Sequence, residues 1–234
     1  MGKPTGSYHH GDLRRALIDA SLELIQQRGV QGLSLRAAAR RAGVSPGAPY
    51  HHFENRSALL SAIGTDGFRI LGEEMAKAAA ESPDPERGQL QACGIAYVRF
   101  ALKYPAHFKV MFRPELTDHD EHPELKEAGD PVFQLLVQRV MAAQELGEAP
   151  TGDPEPYVLL AWSCVQGLSS LLLDGPIGAD YDKISIPPER MAEVLTSTLS
   201  ALLRDAATAQ ALGATRGSGS PDPGTDPGAP PDGS

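Results

Sequence analysis

The spacing of apolar residues constrains this chain most. They recur at steps of three and four: Leu13, Leu17, Ala20 and Leu24, then Leu60, Ile63, Gly67 and Ile70, then Leu90, Cys93, Tyr97, Phe100 and Tyr104. Such steps return side chains to one face of an α-helix, whereas a half-buried strand needs strict alternation, which is nearly absent here. The expected fold is therefore all-α. Gly11-Asp12 precedes the first helix, Gly29 ends it, Ser34 is a plausible N-cap for the second, and Gly43 closes that one. Ser45 with Pro46 can open a very short third helix, and Asn55 a fourth that runs to about Ala80. Beyond the Ser82-Pro83-Asp84-Pro85 break, helices are expected near 86–104, 105–112, 123–148, 155–174 and 188–207, giving nine helices and no sheet.

Charge divides the chain in two. The total is −9, from 21 basic and 30 acidic side chains over 234 residues, but Met1 to Ser57 holds eight basic residues against four acidic ones. That segment is +4, which leaves −13 for the remainder, so an acidic sum conceals a basic head. The expected domains are a head over 1–57, a helical body over 58–210, and a disordered tail over 211–234. Eleven of the 22 residues from Gly213 onward are Gly or Pro, too few apolar groups to form a core. The two cysteines, Cys93 and Cys164, exclude a disulfide scaffold and fall short of a structural zinc site. With no long uninterrupted apolar run and no secretory-type start, a cytoplasmic protein without membrane contact is expected.

Function points to Ser34–Phe53, where a helix, a tight turn and a second short helix follow one another, the arrangement that seats one helix end in a DNA major groove. Arg36, Arg40 and Arg41 lie on the first of these helices and Arg56 opens the next, positions suited to phosphate contacts that give affinity without sequence information. Leu35, Ala38, Ala39, Val44 and Phe53 are spaced as the core of a small domain, and Tyr50 and His52 could also simply pack there.

The stretch GLSLRAAARRAGVSPGAPYHHFENRSALL from Gly32 to Leu60, with the lead-in Tyr8-His9-His10-Gly11-Asp12-Leu13, resembles the DNA-binding domain of the tetracycline-repressor family of transcriptional regulators. The resemblance implies a three-helix DNA-binding head on a larger helical body that dimerises and usually holds a small-molecule pocket. It implies phosphate contacts from Tyr50, His52 and Arg56, and contacts to backbone or base edges from Ser34 and Arg36. Ser45, Gly47, Ala48 and His51 then fall on the recognition helix. The sequence departs from the commoner family pattern at Ala48-Pro49, where Thr-Leu is more usual. Ser45–Phe53 also lacks Arg, Lys, Asn and Gln, the residues that make paired hydrogen bonds to guanine or adenine edges. Readout must then lean on Arg36, Ser45, His51, apolar contact with thymine methyls and DNA shape.

In the body, Pro156–Leu173 carries no charged residue, so this helix is expected to be buried nearly all round. It resembles the C-terminal domain of a subgroup named for a Trp, a His and a Gly: Trp162 and Gly167 match, and Gln166 stands where the His would be. The resemblance further implies a homodimer through the last two long helices, which suits the apolar stripe Met191, Val194, Leu195, Thr198, Leu199 and Leu202. Pocket candidates are Tyr97, Phe100, Tyr104, Phe108, Met111, Phe112, Phe133, Trp162 and Gln166, because ligand cavities are mostly apolar with few polar handles. A small uncharged apolar or aromatic ligand is expected, and no cofactor or metal. The Asp118–His122 cluster reads as a surface loop, without the spaced histidines of a metal site. No nucleotide-binding glycine loop, nucleophile elbow or H-E-x-x-H is present, so an enzyme is not expected. The expected partner is a pseudo-palindromic operator in double-stranded DNA, bound by a dimeric repressor that a ligand releases. A ligand-independent DNA-binding dimer is the alternative, and an interior void would discriminate between them.

Overall fold

The computed structural model describes residues 10–117, 122–174 and 186–217. The described elements are helical throughout: α1 (His10–Arg28), α2 (Leu35–Arg41), α3 (Arg56–Ala80), α4 (Gln89–Lys103), α5 (Pro105–Met111), α6 (Pro123–Glu145), α7 (Glu155–Leu173) and α8 (Pro188–Gly217), with short 3-10 turns at Val30–Gly32 and Ala48–His51. Caps fix most starts: the Ser34 hydroxyl accepts the Ala37 N–H at 3.1 Å and the Asn55 side-chain oxygen accepts that of Ala58 at 2.9 Å. Gly29 and Gly43 adopt φ of 70° and 71°, the left-handed geometry that ends α1 and turns the chain after α2.

Two boundaries and one helix differ most from the sequence expectation. Helix α1 begins at His10, taking in Gly11-Asp12 as its first turn, and α8 continues to Gly217, well past Ala207. The expected third helix is a single 3-10 turn. Pro49 has no N–H to give to the Ser45 carbonyl, and the bonds that do form run mostly three residues back: Ala48 to Ser45, Tyr50 to Gly47 and His52 to Pro49. Tyr8 and His9 of the lead-in, residues 118–121 of the acidic loop and the tail past 217 lie outside the described residues.

Two hydrophobic cores share one short helix. The head core gathers Leu17, Ile18 and Ile25 of α1, Leu35 and Ala38 of α2, Phe53, and Leu59, Leu60 and Ile63 of α3. Ala106 and Val110 of α5 complete it. Burying a leucine as fully as Leu17, Leu59 or Leu60 contributes roughly 2 kcal/mol. The body core is built around α4, which packs against α3, α7 and α8 and contributes Cys93, Tyr97, Val98 and Phe100, joined by Phe108 and Met111 from α5.

Helix α7 corrects a second expectation. Its charge-free sequence suggested burial on all sides, yet only Val158, Ala161, Val165, Ser169 and Leu172 face the interior fully. Leu159, Leu160, Ser163, Gly167 and Leu171 are exposed and form one stripe at helical spacing. By length and apolarity α7 could cross a membrane, but it packs on α4, α6 and α8, and four polar side chains (Ser163, Gln166, Ser169, Ser170) interrupt it.

Candidate nucleic-acid interface and ligand cavity

In the head, α2 abuts the 3-10 turn at Ala48–His51 and the two segments present a mixed set of exposed groups. Arg36 and Arg40, one turn apart on α2, are exposed and have no salt-bridge partner among the described residues. The neighbouring arginines are engaged. Arg41 Nε donates to Glu23 at 2.6 Å, Arg15 pairs with Asp19 at 3.0 Å, and the Arg14 guanidinium lies 5.4 Å from the centre of the Phe53 ring. Ser45, Gly47 and His51 are exposed, Ala48 and His52 are half-buried, and Tyr50 is 53% exposed, which places its ring outside the core. Pro49 is buried and anchors the turn. A buried Pro49 explains how a segment without an α-helical ladder can hold Tyr50 and His51 outward.

Arg56 is placed differently from the phosphate-facing position that the sequence suggested. Its Nη2 donates to the Val30 carbonyl at 2.7 Å and its Nε to the Leu33 carbonyl at 2.9 Å. It thereby caps carbonyls at both ends of the 3-10 turn between α1 and α2. Ser34 likewise uses its oxygen as the α2 cap, leaving its hydroxyl proton available.

The body holds a half-open cavity of about 520 Å³, within the usual range for small-molecule sites. Of the nine candidates from sequence, Tyr97, Met111, Phe112, Phe133, Trp162 and Gln166 line it. Phe100, Tyr104 and Phe108 do not. Phe100 is 1% exposed and stacks on Tyr104 at 5.3 Å, Tyr104 meets His107 edge-on, and Phe108 backs the wall by edge contact with Tyr97 and Phe112. Sequence reasoning missed the α3 contribution of Phe68, Leu71 and Met75, and the α8 contribution of Thr196, Leu199 and Ser200. Small residues were the available signal. A Cβ on Gly94 would sit 2.8 Å from Thr196 Cγ2, so α4 and α8 approach closely only because Gly94 has none.

Aromatic rings form most of one wall. Phe112 and Phe133 lie 5.8 and 6.2 Å from the Trp162 ring, and Phe68 meets Phe112 edge-on at 5.3 Å. The polar groups are few. Trp162 Nε1 donates to the Tyr97 oxygen at 3.2 Å, and the Tyr97 hydroxyl donates to Gln166 Oε1. Burial pushes the Tyr97 phenol far above its ordinary value, with the Trp162 hydrogen bond opposing it, so the phenol stays protonated. Burial also pushes the Cys93 thiol up to about 11, which makes it a poor nucleophile. Thr196 and Ser200 return their hydroxyls to the α8 backbone. Among the described residues no group of three or more potential metal ligands comes together, and His122 lies beside Glu124 at 3.7 Å.

Comparison with known proteins gives the same division. Residues 17–63 match the model for bacterial regulatory proteins of the tetR family, and residues 90–199 match the tetracyclin repressor-like C-terminal domain. An uncharacterised HTH-type transcriptional regulator, YobS of Bacillus subtilis (strain 168), is 27% identical over 115 residues, which is 49% of this chain and 58% of that one. The class D tetracycline repressor protein of Escherichia coli is 30% identical over 109 residues, 46% of this chain and 49% of that one. The chain thus spans about half the length of the curated relatives it matches. Among solved structures, a protein with unknown function from Rhodococcus sp. RHA1 aligns with a TM-score of 0.70 at 32% identity, over 84% of this chain and 98% of that one. The TetR family transcriptional regulator PfmR from Thermus thermophilus aligns at 0.64 and 19% identity, over 80% and 97%, a likeness of fold.

Proposed function

Because the chain belongs to the tetR family of bacterial regulatory proteins, we propose that it is a dimeric DNA-binding transcriptional regulator, a cytoplasmic repressor that leaves its operator when a small molecule fills the body cavity. The observation that carries this reading is the pair of unpaired cations, Arg36 and Arg40, beside the outward Tyr50 and His51 on a head of net charge +4. Cations without internal partners can neutralise phosphates at no cost in broken salt bridges, while the acidic body discourages other docking orientations.

Dimerisation supplies the second half-site. Leu159, Leu160 and Leu171 of α7 and Val194 and Leu202 of α8, the last 61% exposed, make an apolar face that a second copy would cover. Ser163 and Gly167 within it permit close helix approach. Two heads so joined read half-sites one DNA turn or a multiple apart, so modest re-spacing of the heads weakens binding, and ligand and operator oppose each other by linkage. Arg36→Ala and Tyr50→Ala should each weaken binding to DNA from the region upstream of the gene, and Arg36→Ala should also lower the salt dependence by about one phosphate contact. Undiminished binding by both variants in a salt-titrated gel-shift assay would overturn the assignment.

A further inference from the structure

The cavity has a built-in polarity. An indole N–H can only donate, so the Tyr97 oxygen accepts from Trp162, and the Tyr97 hydroxyl proton goes to Gln166 Oε1. That sequence of bonds fixes which end of the Gln166 amide is used. Its Oε1 is taken, and its Nε2 has two N–H donors with no acceptor among the described residues, in the wall of a mostly apolar space. The other polar groups of the wall do not set a direction. Thr196 and Ser200 are bonded to their own helix, the Cys93 thiol faces the Met75 carbonyl, and no hydrogen bond among the described residues fixes the Gln91 amide. The charged side chains of the wall, Lys126 and Asp130, pair with each other, so no net charge faces an occupant.

We propose that Gln166 is the polar reader of the cavity and that the ligand is a neutral, largely aromatic molecule whose carbonyl-type oxygen accepts from the Gln166 amide. The rings of Phe112, Phe133 and Trp162 offer faces and edges against which a planar ring system stacks. A carbonyl satisfies the amide N–H groups that a hydrocarbon leaves bare, and a ligand offering only donors leaves its own groups unmatched there. A carboxylate would have to shed its water without an unpaired cation to receive it. This inference rests on the cavity being the ligand site.

The test uses the full-length protein and a matched pair of probes, benzophenone and diphenylmethane, which differ by a carbonyl in place of a methylene. Trp162 is the one tryptophan of the chain and lies in the wall, so its emission, checked by calorimetric titration, reports binding. The quantity compared is the affinity ratio of ketone to hydrocarbon, because the ratio removes general changes in packing. It should fall by about five- to tenfold in Gln166→Met. Gln166→Ala removes both N–H donors without adding a polar group, and should also lose the ratio even if the methionine variant folds poorly. A ratio unchanged in the folded variants overturns the role of Gln166 and leaves the cavity reading in place. If neither probe perturbs Trp162 or releases heat at its solubility limit, the cavity reading itself falls, and this inference with it.

Discussion

Arg56 offers the sharpest test of the head, because two readings of it predict opposite outcomes. Its guanidinium makes hydrogen bonds of 2.7 and 2.9 Å to the Val30 and Leu33 carbonyls. Val30 and Leu33 are both buried, and they bracket the 3-10 turn that sets how α2 leaves α1. A hydrogen bond with one charged partner contributes roughly 1.5–3 kcal/mol. The site is only half-buried, so water can reach part of it after truncation, and Arg56→Ala should cost about 2 kcal/mol in total rather than twice the single-bond figure. In a chain of this size that lowers the thermal midpoint by about 4–8 °C. Urea unfolding and hydrogen exchange at the amides around residues 29–35 would measure it, with exchange rising there first.

The DNA readout separates the readings. If Arg56 holds carbonyls, Arg56→Ala weakens DNA binding through a loosened head, with the slope of log affinity against log salt essentially retained. If it holds a phosphate, stability is untouched and the slope falls by about 0.9. A variant as stable as the parent with the smaller slope would refute the structural role. Arg56→Lys sharpens the comparison, since a lysine retains the charge but cannot span two carbonyls with a fixed fork.

Two further substitutions probe the body. Phe100→Ala should destabilise by about 3–5 kcal/mol in urea melts, because Phe100 is fully packed, yet it should leave probe affinity at Trp162 nearly unchanged in the fraction that folds; a binding loss without a stability loss would return Phe100 to the cavity wall. Burial lowers the pKa of His107 against the pull of the Asp66 carboxylate, with Arg15 adding to the lowering and Asp19 opposing it. The unfolded chain therefore binds the proton more readily, so the His107 contribution is fully present above about pH 6.5 and is lost as pH falls below it. His107→Gln should flatten the decline in stability between about pH 7.5 and about pH 5.5, and equal declines in both proteins would refute the assignment.

The sequence carried those parts of the structure that depend on local chemistry. Asn55, Pro105, Pro123 and Pro188 mark starts of α3, α5, α6 and α8 within a residue or so because a cap or a ring acts on its own turn. Segregation of charge into the head was visible for the same reason, since counting needs no geometry. What escaped depended on the third dimension. Tyr97 and Phe100 stand one turn apart on α4 at the same apolar period, yet Tyr97 lines the cavity and Phe100 packs in the core against Tyr104, a difference that the spacing alone does not carry. Arg56 counted as a free cation because its partners are carbonyls more than twenty residues away, which every sequence has and none advertises. The α7 stripe misled in the opposite direction: absence of charge signals contact, but it does not say whether the contact is with the same chain.

How a ligand in the body could be felt by the head follows from α5. This helix has seven residues, and its faces belong to different cores: Ala106 and Val110 sit among Leu17, Ile18 and Leu59 of the head, while Phe108 and Met111 belong to the body. Met111 lines the cavity and also fills the notch left by Gly67 on α3, where a Cβ would lie 2.5 Å from its Sδ. So tight a notch has little room to absorb displacement, because packed interiors yield poorly to small shifts. A ligand that pushes on Met111 must therefore either be accommodated by rotation of the Met111 side chain or move α5 along α3, carrying Ala106 and Val110 with it. The first costs rotamer freedom locally and leaves the head unmoved; the second disturbs the packing on which the orientation of α1 and α2 rests. Which of the two is cheaper depends on how much of the cavity a ligand fills beside Met111, so on the proposed reading ligands that leave Met111 room to rotate would bind without releasing DNA, and those that fill that room would release it.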